Sequence, residues 1–145
     1  MQVKVKKLNE KAVLPIYSSK SAAGADLCAL LDEPVTIASG ETVFIKTGLA
    51  LEIPEGYVGL IYARSGLACK RSVAPANKVG VIDSDYRGEI MVALFNHGQN
   101  EQTIEPGERI AQIVITPYLA AEFSLAEEIT STERADGGFG STGRK

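Results

Sequence analysis

Between residues 43 and 53 the apolar side chains recur at every second position. Val43, Ile45, Thr47, Leu49, Leu51 and Ile53 fall on one face, and Phe44, Lys46, Gly48, Ala50 and Glu52 on the other. A period of two is the repeat of a strand, whereas a helix repeats every 3.6 residues. The stretch therefore predicts a half-buried strand, or two strands bent at Gly48. Val3 and Val5 alternate with Gln2, Lys4 and Lys6 in the same way. Turn residues follow at short intervals: Ser39-Gly40, Pro54-Glu55-Gly56, Gly88, His97-Gly98 and Pro106-Gly107. Short strands divided by Gly and Pro turns predict an all-β sandwich or barrel.

Two segments depart from the alternation. Residues 90–95 (Ile-Met-Val-Ala-Leu-Phe) and 110–115 (Ile-Ala-Gln-Ile-Val-Ile) are apolar on both faces or nearly so. Antiparallel strands of a small monomer normally keep one wet face. Strands dry on both sides predict a place between two sheets, a subunit interface, or a mixture, and hence an oligomer. Helix is confined to about residues 65–70, with Ser65 as the expected N-cap. Residues 134–145 are rich in glycine and end in Arg144-Lys145. Such a tail cannot pack a core and is expected to move when nothing is bound. Residues 1–133 are expected to form a single β domain.

The formal net charge of −3 argues against a nucleic-acid partner, which would call for a basic excess. Local arginines still suit a small anion. Cys28 and Cys69 stand in no metal-ligand spacing and His97 is the single histidine, so a zinc site is not expected. Two free thiols fit a reducing compartment. Met1 to Leu8 carries positive charge with no apolar run behind it, and no segment approaches the ~20 apolar residues of a membrane span. The expected compartment is the cytoplasm.

Five clusters carry the chemistry. Gly80-Val81-Ile82-Asp83-Ser84-Asp85-Tyr86-Arg87-Gly88 is expected to form a β-hairpin, with backbone amides, a carboxylate and a ring facing a flat ligand. Ala23-Gly24-Ala25-Asp26-Leu27 sets a carboxylate after a glycine turn. Arg64-Ser65-Gly66 combines a guanidinium, a hydroxyl and the amides of a helix start, which are the parts of a phosphate site. Pro106-Gly107-Glu108-Arg109-Ile110-Ala111-Gln112 puts polar groups on an apolar strand. The tail adds Arg134, Phe139, Gly140, Ser141 and Thr142. Each has a plain structural counterpart: a polar turn, a turn carboxylate at Asp26, a capped strand end at Arg64, a buried network of Arg109 and Gln112, a linker end.

In this order the clusters resemble the trimeric dUTP diphosphatase (dUTPase) family, from about Asp26 to Gly143. The resemblance implies a distorted all-β jelly roll with one short helix. It implies a homotrimer with three sites at subunit boundaries, each closed by a swapped C-terminal tail. It also implies hydrolysis of dUTP to dUMP and pyrophosphate with Mg²⁺. Asp83 matches the general base that activates water against the α-phosphorus. Asp26 matches the residue that holds the metal through a water. Arg64, Ser65, Gly66 and Gln112 match phosphate contacts, and Arg134, Gly140, Ser141 and Thr142 match contacts from the tail.

Asn77, the backbone of Gly80, Val81, Ile82 and Asp83, and Met91 match the groups that read the uracil edge. Tyr86 matches the ring beneath the deoxyribose, and Phe139 the ring that stacks on uracil. Asp85 and Arg87 are expected to brace the hairpin through ion pairs, and His97 to be structural. The rivals are a dCTP deaminase of the same superfamily, which needs a glutamate base where Asp83 and Tyr86 stand, and a non-catalytic nucleotide-binding protein.

Overall fold

The computed structural model describes residues 1–138. The chain runs β1 (Lys4–Lys7), β2 (Ile16–Tyr17), β3 (Ala25–Cys28), β4 (Val35–Ile37), β5 (Thr42–Lys46), β6 (Leu49–Glu52), β7 (Tyr57–Ala63), α1 (Ser65–Arg71), β8 (Val73–Pro75), β9 (Gly80–Ile82), β10 (Met91–Asn96), β11 (Gln102–Ile104) and β12 (Arg109–Pro117). The largest sheet has five strands in the order β2-β3-β12-β7-β9, and a second has the order β5-β10-β8. Two pairs, β1-β6 and β11-β4, complete the framework. The all-β class with one short helix is the one expected.

The alternation from Val43 to Ile53 sorts the side chains largely as predicted, except that Ala50, on the face expected to be open, is buried. Ile45, Thr47, Leu49, Leu51 and Ile53 are buried, while Phe44, Lys46 and Glu52 are exposed. Of the two forms considered, the bent one is adopted. Gly48 sits between β5 and β6 with φ +69°, a conformation that costs an L-residue energy. A Cβ there would stand 2.6 Å from Leu30 Cδ2 and 2.8 Å from Ala12 Cβ.

The strands expected to be dry are central ones. β10 lies between β5 and β8, and β12 between β3 and β7. Val92 and Leu94 are buried in this chain, but Met91 on the opposite face of β10 is 45% exposed. The second face of β10 is thus left partly uncovered by this chain. Beyond Pro117 no regular element follows among the described residues, and Leu119, Phe123, Leu125 and Ile129 are almost wholly exposed.

One expectation is corrected at the helix. Its N-cap is Arg64, whose backbone is still extended on leaving β7, and no side chain caps it. Ser65 is the first helical residue instead. With seven residues α1 is too short to persist alone. It is tethered at its far end by Arg71, which donates to Gln102 Oε1 (3.0 Å), to Glu108 Oε1 (2.6 Å) and to the carbonyl of Thr103.

Gly48→Ala should destabilise the fold by roughly 2–4 kcal/mol, from left-handed strain plus the two clashes. Urea unfolding at fixed protein concentration measures it, and an unchanged midpoint contradicts the assignment.

Candidate active site

The two sheets part at β8 and β9. The chain leaves β8 through a turn in which Lys78 has φ +64° and its N–H donates to the Pro75 carbonyl (3.0 Å). It then enters β9, which pairs with β7 alone. β10 pairs with β8 only over Leu94 to Asn96, so Met91 and Val92 have no strand partner on that side. A cleft of about 250 Å³ opens here. Its walls include Phe44, Ile61 and Pro75 with Asn77, Gly80, Val81, Ile82, Asp83, Tyr86, Glu89 and Met91. Unpaired backbone at a sheet edge is a ready donor and acceptor row.

The expected hairpin over residues 80–88 does not form. β9 and β10 belong to different sheets, so residues 83–90 are a loop that crosses from one to the other. The loop is braced from within. Arg87 Nη1 donates to the carbonyls of Ser84 (2.6 Å) and Tyr86 (3.0 Å), and the Tyr86 N–H to that of Asp83 (3.2 Å). Arg87 therefore braces through carbonyls, and the described residues show no Asp85–Arg87 ion pair. Tyr86 Oη donates to the Glu89 carbonyl (3.1 Å). Its ring folds over Gly88, where any Cβ would collide with the Tyr86 hydroxyl.

A second cluster lies elsewhere on the larger sheet. Asp26 on β3 is only 5% exposed. Its Oδ1 accepts from Arg64 Nε (2.7 Å) and its Oδ2 from Arg109 Nη1 (3.2 Å). Arg64 Nη1 also reaches the Arg109 carbonyl (3.4 Å). Asp26 is thus no turn carboxylate but the anchor of two guanidiniums. Gln112, opposite Asp26 in the strand register, donates through Nε2 to the Ala63 carbonyl (2.9 Å). Ser65 and Gly66 stand exposed at the start of α1 beside Arg64. Two cations around one carboxylate leave a net positive face.

Burial first, and then the Asp26 charge, push the Cys28 thiol up, against the pull of Arg109 and Arg64. Among the described residues no group of three or more His, Cys, Asp or Glu gathers as a metal site.

The structure joins Asn77, Gly80, Val81, Ile82, Asp83, Tyr86 and Met91 in the cleft, and Asp26, Arg64, Ser65, Gly66 and Gln112 in or beside the arginine cluster. It does not bring the two groups together. In the register Asp26 stands opposite Gln112 and Tyr62, while Ile82 stands opposite Gly59. Three strand spacings across and about four residues along put Asp26 and Asp83 about 20 Å apart. Arg134 forms a small turn of its own, its Nε donating to the Gly137 carbonyl (2.8 Å). Phe139, Gly140, Ser141 and Thr142 lie outside the described residues. His97 stacks edge-on against Phe95 at 4.4 Å, as a structural residue would. Glu89 was given no role in the sequence, and the buried network considered for Arg109 and Gln112 does not form: Arg109 is exposed and bonds Asp26, while Gln112 bonds the Ala63 carbonyl.

The fold and site define the chain as an all-β protein with an open cleft where two sheets part. Comparison with known proteins narrows it. A family model described as dUTPase matches residues 10–143. The deoxyuridine 5'-triphosphate nucleotidohydrolase of Hydrogenobaculum sp. is 52% identical over all of both chains, and that of Acinetobacter baylyi is 49% identical over 100% of this chain and 99% of its own. A mutant dUTPase of Staphylococcus bacteriophage 80alpha, solved with dUpNHpp, superposes with a TM-score of 0.88 at 32% identity, covering 98% of each chain. A dUTPase from phage phi11 of S. aureus, described as showing the coordination of a structural Mg(II) ion, superposes at 0.79 with 29% identity, over 88% of this chain and 98% of its own. The chain belongs to the dUTPase family.

Asp26→Asn removes the charge that two arginines share. The loss should be about 3 kcal/mol, at the low end for a broken buried pair because Arg109 is half-exposed. Chemical denaturation reads it. Separately, iodoacetamide at pH 8 should label exposed Cys69 well before Cys28, whose thiolate is suppressed. Peptide mass spectrometry reports the order, and equal rates would contradict it.

Proposed function

We propose that this chain hydrolyses dUTP to dUMP and pyrophosphate by attack of water on the α-phosphorus. That reaction limits uracil incorporation into DNA and supplies dUMP for dTMP synthesis. The observation that carries the reading is the cleft of about 250 Å³ between the open edges of β9 and β10. A flat pyrimidine edge can take the hydrogen bonds that a strand would otherwise make there, beside the Asn77 amide. Cytosine reverses donor and acceptor at that edge and would leave buried groups unpaired, a mismatch worth up to ~10⁴–10⁵-fold. The cleft holds two carboxylates, Asp83 and Glu89, and because the Glu89 carboxylate is taken by the Gly48 N–H, Asp83 is the better placed base, which favours hydrolysis over deamination.

Asp83 is the general base. Tyr86 packs beneath the deoxyribose and rejects a 2′-hydroxyl by contact. Arg64, Ser65, Gly66 and Gln112 hold the phosphates. Arg134, Gly140, Ser141 and Thr142 close over them, with Phe139 on the uracil. A base must come within hydrogen-bond reach of the attacking water, or one water away. Asp83 is about 20 Å from its own chain's arginine cluster by strand spacing, so the two halves of a working site come from different copies. The exposed Leu119, Phe123, Leu125 and Ile129 support burial against such a copy. We assign a homotrimer with swapped tails, residues 134–145 crossing to a neighbour.

The residues suit Mg²⁺ brought by the substrate rather than caged by the protein. Asp26 stands as a lone carboxylate with both oxygens engaged by arginines, and Mg²⁺ commonly keeps its waters and binds phosphate oxygens. Asp26 would hold the ion through a water, and the ion would neutralise and clamp the triphosphate. The free Cys28 and Cys69 support a reducing, cytoplasmic compartment. No helix among the described residues is long and apolar enough to cross a membrane.

Pyrophosphate release from dUTP, dCTP, dTTP and UTP, with Mg²⁺ and then EDTA, tests the activity. Fast release from dUTP alone, abolished by EDTA, is expected. Asp83→Asn should keep nucleotide binding and lose about 10²–10⁴-fold in kcat. Removal of residues 134–145 should leave a folded trimer in sedimentation equilibrium with greatly reduced turnover. Release from no nucleotide would refute the reading.

A further inference from the structure

The crossing loop is tied to the core through its last two residues. The hydrogen bonds of residues 83–88 run within the loop, that of Tyr86 Oη to the Glu89 carbonyl among them. Glu89 itself faces two ways. Its carbonyl takes the Tyr86 hydroxyl at 3.1 Å, and its carboxylate Oε1 takes the backbone N–H of Gly48 at 2.9 Å. That N–H belongs to the left-handed bend between β5 and β6. The next residue locks into the same bend. The Ile90 N–H donates to the Leu49 carbonyl (2.8 Å), and Thr47 Oγ1 donates to the Ile90 carbonyl (2.6 Å).

We infer that Glu89 is a positioning residue for Tyr86, and through it sets discrimination at the sugar 2′-position. This rests on the reading of Tyr86 as the ring beneath the deoxyribose. The peptide that holds the Tyr86 hydroxyl is fixed on one side by Ile90 and on the other by the Glu89 side chain. Gly88 gives the ring room to lie back on that peptide. Glu89 has no need to touch the nucleotide. What matters is the reach of its oxygen to Gly48, not its charge.

Reach and charge are separable. Glu89→Gln keeps an acceptor oxygen at the same distance without charge. Glu89→Asp keeps the charge but is one methylene too short. We expect Glu89→Gln to keep the ratio of kcat/KM for dUTP over UTP within about twofold of wild type. Glu89→Asp should lower that ratio about tenfold, as expected for a buried amide left unpaired, with the loss in KM for dUTP rather than kcat. Tyr86→Phe cuts the other end of the relay and should lower the ratio similarly, which decides the matter if Glu89→Asp does not fold.

A wild-type ratio in both Glu89→Asp and Tyr86→Phe overturns the inference. So does a loss in Glu89→Gln with retention in Glu89→Asp, which would make charge the operative property. A thermal shift with an unchanged ratio gives Glu89 a purely structural role and overturns it also. Wild-type protein that hydrolyses UTP as well as dUTP overturns the Tyr86 reading itself, a failure distinct from one confined to the variants.

Discussion

β9 has a strand on one side and none on the other, and the rest of the candidate site follows from that open edge. Backbone N–H and C=O groups left without partners are costly when buried and adhesive when exposed. At β9 the open edge is three residues long and lines a cleft. The left-handed turn at Lys78 carries the chain from one sheet to the other, and the loop from Asp83 to Ile90 carries it back. Were β9 to pair with β10 as a plain hairpin, the slot would close.

The other pole is electrostatic. Burying a carboxylate is expensive unless it is paired, and Asp26 is paired twice. The geometry holds two guanidiniums in place around Asp26, so under the proposed phosphate role little reorganisation would remain on binding. Arg71 supports the arrangement from the far end of α1, linking it to Glu108, the neighbour of Arg109. Both poles combine strand residues with the segments that leave them: Asp26 on β3 with Arg64 at the start of α1, and β9 with the loop that carries Asp83 and Tyr86. Their separation within one chain, with the apolar side chains exposed beyond Pro117, gives the proposed oligomer a chemical as well as a packing argument.

Much of this was legible beforehand. The alternation around Gly48 marked both the buried face and the bend, because a period of two and a missing Cβ are local properties. The clusters were visible as a carboxylate after a glycine turn at Asp26, a strand end opening a helix at Arg64, a polar turn segment at Asp83 and a polar island in an apolar strand at Gln112. Three features were not. Ser65 read as a cap, since nothing local revealed that the extended backbone would run on through Arg64, whose side chain is taken by Asp26, 38 positions away. Residues 80–88 read as a hairpin, since turn residues say that a chain reverses but not which strand it then joins. Arg109 was matched with the wrong partner, Gln112, and Glu89 was unassigned, because their true partners, Asp26 and Gly48, are 83 and 41 positions distant.

By itself, then, the sequence determined the strand class, the positions of the turns, the inward faces and, through resemblance, the dUTPase family. These depend on side-chain period and residue type, which are read along the chain. The tertiary structure alone decided which edges stay unpaired, which cations share Asp26, and that Asp83 stands far from them. Those are pairings between segments remote in sequence, set by which contacts bury the most apolar surface while satisfying the backbone.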